Sequence, residues 1–103
     1  MSVRENRYQS ELIKKINSLF PDCLILKNDP NHIQGIPDLL ILFEDRWAML
    51  EVKAASKASH RPNQEYYVEK LNHMGFARFV YPENESEVIE DLVDYLRSGD
   101  AVR

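Results

Sequence analysis

The feature that most constrains the fold is a pair of apolar segments separated by two acidic residues. Leu39–Phe43 is an uninterrupted apolar run, and residues 46–54 form a second segment rich in apolar side chains. Glu44 and Asp45 between them suit a tight turn, so the pattern predicts an antiparallel hairpin. Pairing across this turn places Asp38 directly opposite Glu51.

That register brings three charged side chains to one place. Opposed residues of an antiparallel pair point to the same face with Cβ atoms roughly 4.5–5.5 Å apart, and Lys53, two residues beyond Glu51, shares that face. Opposed carboxylates are destabilising unless a cation compensates them. Lys53 supplies part of that charge, and two acid ligands suit Mg²⁺. The expected chemistry is metal-assisted phosphodiester hydrolysis, with Lys53 orienting water or stabilising the transition state.

The remaining periodicities predict one α/β domain over residues 1–103, in the order αβββαβα, with a small mixed sheet flanked by helices. The predicted helices cover 5–20, from Pro62 or Asn63 to Gly75, and from Asn84 to about Leu96; the predicted strands cover 23–27, 39–43, 46–54 and 76–81. In the last helix we expect Val88, Ile89, Leu92, Val93 and Leu96 to face inward.

Composition excludes several classes of protein. Apolar residues make up 44% and charged residues 29%, which is typical of a globular chain. No apolar run approaches the ~20 residues of a membrane helix. Cys23 is the only cysteine, and no secretory signal is recognisable. We therefore expect no membrane association and a location in the cytoplasm of a bacterial or phage-infected host cell.

The formal net charge of −4 is unevenly distributed. Residues 1–82 carry eleven Lys and Arg against ten Asp and Glu, whereas residues 83–103 carry two against seven. This balance disfavours a tight, sequence-blind electrostatic binder of nucleic acid but does not exclude DNA.

Two further residues are candidates for the site. Glu11 adjoins the apolar stripe of the first helix, so it could reach the metal or its water; it could equally be a plain surface acid. Gln64 opens the buried stripe of the second helix, although a polar residue is ordinary in a first turn. The candidate phosphate contacts are Lys14, Lys15, Lys57, Arg61 and Arg78.

These residues resemble a known pattern. Gly35-Ile-Pro37-Asp38, then Glu51-Val-Lys53, then Gln64-Glu-Tyr-Tyr67 are similar to the motifs of the PD-(D/E)XK nuclease superfamily. Within it, the chain resembles the VRR-NUC (virus-type replication-repair nuclease) family over roughly residues 5–81.

The resemblance implies a DNA endonuclease that binds Mg²⁺ or Mn²⁺. Asp38, Glu51 and the backbone carbonyl of Val52 would be metal ligands, with Glu11 as a further candidate. Lys53 would be catalytic, and Glu11 and Gln64 would support it. Stand-alone members of this size look like phage proteins that act as homodimers on branched DNA such as Holliday junctions, in DNA repair. The size of the domain points the same way, since cutting two strands symmetrically takes two sites.

Two other interpretations remain open. The same fold could nick duplex DNA, cut single-stranded DNA or act as a restriction-type enzyme, although the chain has little spare length for reading base edges. Alternatively, a non-catalytic nuclease-like domain could bind DNA or a protein. Opposed carboxylates argue against that, because a binding module has no need of them.

Overall fold

The hairpin forms with the predicted register. The computed structural model describes residues 2–102, with side chains described through Ser98. Strand β2 (Leu39–Phe43) pairs antiparallel with β3 (Arg46–Val52), and Leu39 lies opposite Leu50 while Phe43 lies opposite Arg46. Glu44 closes the turn in a left-handed conformation with φ 53°. The pairing prediction that brings Asp38 level with Glu51 is thereby confirmed.

Four strands make one mixed sheet. Strand β1 (Leu24–Lys27) adds antiparallel to β2. Strand β4 (Ala77–Val80) lies parallel to β3, with Val80 opposite Val52. The spatial order is β1-β2-β3-β4, so β3 is an inner strand. Its predicted extension to Ala54 is wrong by two residues, because the chain leaves the ladder after Lys53 donates its N–H to Val80.

Three helices complete the element order αβββαβα, as predicted. They are α1 (Val3–Leu19), α2 (Gln64–Met74) and α3 (Glu85–Val102). Ser2 caps α1 by accepting from the Glu5 N–H. Helix α2 begins later than Pro62 or Asn63 because Asn63 has φ 70°, which is incompatible with a right-handed helix. Helix α3 continues past the predicted end at Leu96.

The hydrophobic core lies on one face of the sheet, and the candidate site lies on the other. Alternation along β3 directs Ala48, Leu50 and Val52 into the core, where all three are fully buried. The core is completed chiefly by Leu12, Ile16 and Phe20 and by Val88, Leu92 and Leu96 of α3, with Ile89 and Val93 packed against it as expected. Glu51 therefore belongs to the opposite face, where α2 packs.

Helices α1 and α3 bury apolar side chains in this core. No helix within residues 2–102 is long and apolar enough to cross a membrane.

Candidate active site

The two carboxylates meet at the open end of the hairpin. Asp38 directly precedes β2 and accepts a hydrogen bond through Oδ2 from the Val52 N–H at 2.8 Å. Glu51 lies near the end of β3 and is only 2% exposed. Both line a small cavity of about 40 Å³, together with Lys53, Gln64, Glu5 and Arg61. The hairpin register thus produces a shared acidic site.

Lys53 is held inside this site. Its side chain is only 5% exposed, and its Nζ lies 3.9 Å from Glu51 Oε2. The ammonium donates to Gln64 Oε1 at 2.7 Å and to the Ser59 carbonyl at 3.2 Å. A buried ammonium needs such partners because desolvation of a charge is costly. These bonds leave Lys53 a fixed positive charge beside the two acids.

Gln64 forms hydrogen bonds with both Lys53 and Glu51. Its Oε1 accepts from Lys53 and from the Arg61 N–H at 2.8 Å, and its Nε2 donates to Glu51 Oε2 at 3.1 Å. The side chain is 7% exposed at the first residue of α2. The structure therefore places Gln64 at the site, as the sequence indicated, in a position to orient both charged neighbours.

The environment of Glu51 decides how the acidic pair is stabilised. Glu51 Oε1 is buried and has no hydrogen-bond partner within the part of the chain that the structure describes. Burial, the negative charge of Asp38 and a side-chain hydrogen bond with Asp38 raise the pKa of Glu51 from its ordinary value of 4.5 to about 9, even though Lys53 opposes that shift. Two buried acids this close can share a proton, or they can bind a cation when both are ionised.

The described residues offer few ligands for a metal ion. Across residues 2–102, no cluster of three or more His, Cys, Asp or Glu side chains is arranged to hold a metal ion. A metal at this site would depend on Asp38 and Glu51 with oxygen ligands from elsewhere. Mg²⁺ tolerates this arrangement, since it usually takes one or two carboxylates and keeps water or phosphate oxygens in its other positions.

The predicted placement of Glu11 is corrected by the structure. Glu11 is exposed and does not line the cavity, whereas Glu5 does. The two residues are six positions apart, so they point about 120° apart around the helix. Glu5 instead lies seven residues before the buried Leu12 and hence on nearly the same helix face. That spacing was the sequence signal that could have identified Glu5.

The five predicted phosphate contacts are scattered over the surface. Arg61 is exposed and lines the site cavity. Lys57 and Lys14 are also exposed, outside that cavity. Lys15 forms an ion pair with Glu85, and Arg78 donates to the Asn72 side chain with its guanidinium over the Phe76 ring. The structure thus brings only Arg61 of this set to the acidic pair.

In comparisons with protein-family models, with curated proteins and with solved structures, no match to this chain was found. The resemblance to VRR-NUC proteins accordingly stays a prediction.

Proposed function

We propose that this protein is a metal-dependent DNA endonuclease that hydrolyses phosphodiester bonds. One observation carries the proposal: Asp38 and Glu51 converge at the open end of the hairpin, where Glu51 Oε1 is buried without a donor beside the fixed ammonium of Lys53. A fold retains opposed, buried acids only when one of them is protonated or when a cation compensates their charge. We propose that a divalent cation takes the place of the proton when it binds.

Asp38 and Glu51 would hold Mg²⁺ or Mn²⁺, with the carbonyl of Val52 as a further ligand. The fit is supported by the position of the Glu51 carboxyl beside Asp38, with its Oε1 buried and accepting no hydrogen bond within the described residues. When bound, such an ion neutralises phosphate charge and lowers the pKa of a coordinated water.

The other residues of the site have distinct roles in this proposal. Lys53 places a positive charge where the non-bridging phosphate oxygens gain negative charge during hydrolysis. Gln64 fixes the amine of Lys53 and the carboxyl of Glu51 relative to each other through two hydrogen bonds. Arg61, exposed at the rim, can bind a phosphate of the DNA backbone.

The fold and substrate proposals follow the family resemblance. The order αβββαβα with a mixed four-stranded sheet supports a PD-(D/E)XK nuclease of the VRR-NUC type. We propose that the protein recognises DNA shape and acts as a homodimer on branched DNA such as four-way junctions, because cutting two strands symmetrically takes two active sites.

A cleavage assay tests the activity. Purified protein should cut labelled DNA with Mg²⁺ or Mn²⁺ and stop with EDTA. Asp38→Asn, Glu51→Gln and Lys53→Ala should each slow cleavage at least ~100-fold. Glu69→Gln, an exposed carboxylate on α2, is the matched control and should cut at the wild-type rate. Wild-type rates in the three site variants would refute the proposal, and metal-independent DNA binding without cleavage would favour a non-catalytic module.

A further inference from the structure

A second, larger cavity continues from the acidic site. It measures about 320 Å³ and shares Asp38, Arg61 and Gln64 with the smaller one. Its remaining walls come from the loop before β2 and from Pro62. Nothing in the proposed hydrolysis uses this cleft, although Asp38 of the acidic pair is one of its lining residues.

The two loops that form the cleft are fixed against each other. Gly35 has φ +93°, and a Cβ at this position would lie 2.6 Å from Asn63 Cβ and 2.7 Å from the Asn63 carbonyl carbon. Only glycine permits that approach. Within the first loop, Asn28 Nδ2 donates to the Pro37 carbonyl at 2.9 Å, which ties the loop to the start of β2. The cleft is consequently preformed.

The lining suits a nucleobase. Pro30, Ile36 and Pro62 offer apolar surface against which a planar ring can pack. The amide side chains of Asn31 and Gln34 are exposed and make no hydrogen bond within residues 2–102, so their donors and acceptors are available. Amide groups pair well with the polar edges of bases. Among the residues that the structure describes, Asp38 is the only acidic one that lines the cleft, so little negative charge would repel a nucleotide.

We infer that this cleft binds one unpaired nucleotide next to the scissile phosphate; the inference rests on the proposed nuclease function. Its volume is at the lower end of small-molecule sites, which are about 300–1,000 Å³, and it can admit a single base with its sugar but not a duplex. A stacked, paired base has both faces covered, so it must leave the helix to enter, at a cost that is least when it is already unpaired.

The position of Arg61 supports this inference. Arg61 lines both cavities, as do Asp38 and Gln64, so it lies where the two cavities adjoin. A nucleotide in the cleft would carry its backbone phosphate past Arg61 towards Asp38. The substrate class is therefore DNA with an unpaired nucleotide at the cleavage position, as at a junction, flap or bulge, and continuous duplex is disfavoured.

Binding measured without cleavage tests the cleft. All proteins would carry Glu51→Gln, and the probe is a duplex with one bulged 2-aminopurine nucleotide, compared with the same labelled strand fully paired. We expect the bulged probe to bind at least about tenfold more tightly, and its emission to change on binding. Asn31→Ala with Gln34→Ala should weaken bulge binding about three- to tenfold, the loss of one or two hydrogen bonds, and leave duplex binding unchanged.

His32→Ala is the matched control. His32 belongs to the same loop but lines a different cavity, with Ile33 and Met49, so its loss should change neither affinity. Because Asn31 and Gln34 are exposed, the double variant should melt at the temperature of its background.

The outcomes separate this inference from the proposed function. Equal affinity for the two probes contradicts the inference that the cleft binds an unpaired nucleotide. An equal loss of affinity for both probes in the double variant contradicts it as well. Wild-type protein that cuts continuous duplex as fast as bulged DNA, with no effect of the double variant, also overturns it and leaves the nuclease intact. Bulge-selective binding that depends on Asn31 and Gln34, without cleavage by the wild type, supports the cleft and refutes the nuclease. No binding of either probe overturns the cleft, and the nuclease is then decided separately by whether the wild type cuts DNA with Mg²⁺ or Mn²⁺.

Discussion

Replacing Glu51 with Gln in the metal-free protein should remove a pH dependence of folding stability. The native pKa of Glu51 is raised to about 9, above the value of 4.5 expected in the unfolded chain. Between these values the native protein retains a proton that the unfolded chain releases. The stability contributed by this group is therefore complete below about pH 4.5 and is lost as pH rises towards 9.

The size of the effect follows from proton linkage. One proton held only by the native state changes the free energy of unfolding by at most about 1.4 kcal/mol per pH unit. Wild-type protein in EDTA should therefore lose up to about 3 kcal/mol between pH 6 and pH 8. Gln carries no titrating proton, so Glu51→Gln should lack this loss. Its free energy of unfolding relative to the wild type should therefore rise by the same amount between pH 6 and pH 8.

Urea unfolding at pH 6, 7 and 8, followed by the fluorescence of Trp47, the only tryptophan, measures the slopes. Glu11→Gln, an exposed carboxylate, is the control and should keep the wild-type slope. Adding Mg²⁺ should stabilise the wild type, and more strongly at pH 8, because protons compete less with the metal for the carboxylates at that pH. The stability of Glu51→Gln should not change. Identical slopes in wild type and Glu51→Gln would refute the argument from burial and charge.

Three further predictions concern the site and the assembly. Glu5→Gln should slow metal-dependent cleavage about tenfold because Glu5 lines the cavity. Glu11→Gln should cut DNA at the wild-type rate. The reverse pattern in the same assay would contradict the placement of α1. Gln64→Ala should lower the free energy of unfolding by about 2–3 kcal/mol, because Lys53 and Glu51 each lose a buried partner. Chemical denaturation would measure this loss, with the exposed Glu69→Ala as the control. Equal stabilities of the two variants would contradict the role of Gln64. Light scattering should give the proposed homodimer a mass of about twice the 12.1 kDa of the chain. The homodimer should also cut a four-way junction faster than matched duplex. A strict monomer without that preference would favour a simple nicking nuclease.

Much of the fold was predictable because it depends on local patterns. An apolar run, a two-residue turn and a returning strand allow few registers, since a one-residue slip would exchange the buried and exposed faces of β3. The position of Asp38 opposite Glu51, with Lys53 on the same face, follows from that register alone. Helical periodicity similarly identified the inward face of α3, where Val88, Leu92 and Leu96 are buried.

The details that involve separate elements were decided by tertiary packing. Periodicity marks the apolar stripe of a helix but not which flanking acid meets the sheet end, so Glu11 was expected at a position that Glu5 occupies. The partners of Lys15 and Arg78 lie on other elements or across a turn and have no local signal.

The cleft beside Asp38 likewise could not be predicted from the sequence. The sequence by itself determined the hairpin, the order of the helices and strands, and the carboxylate pair, because each follows from spacing within a short segment. Only the tertiary structure placed Gly35 against Asn63, two residues far apart in the chain whose close approach creates the cavity beside Asp38. Such a contact results from how the sheet and α2 dock, and no periodicity in either segment encodes it.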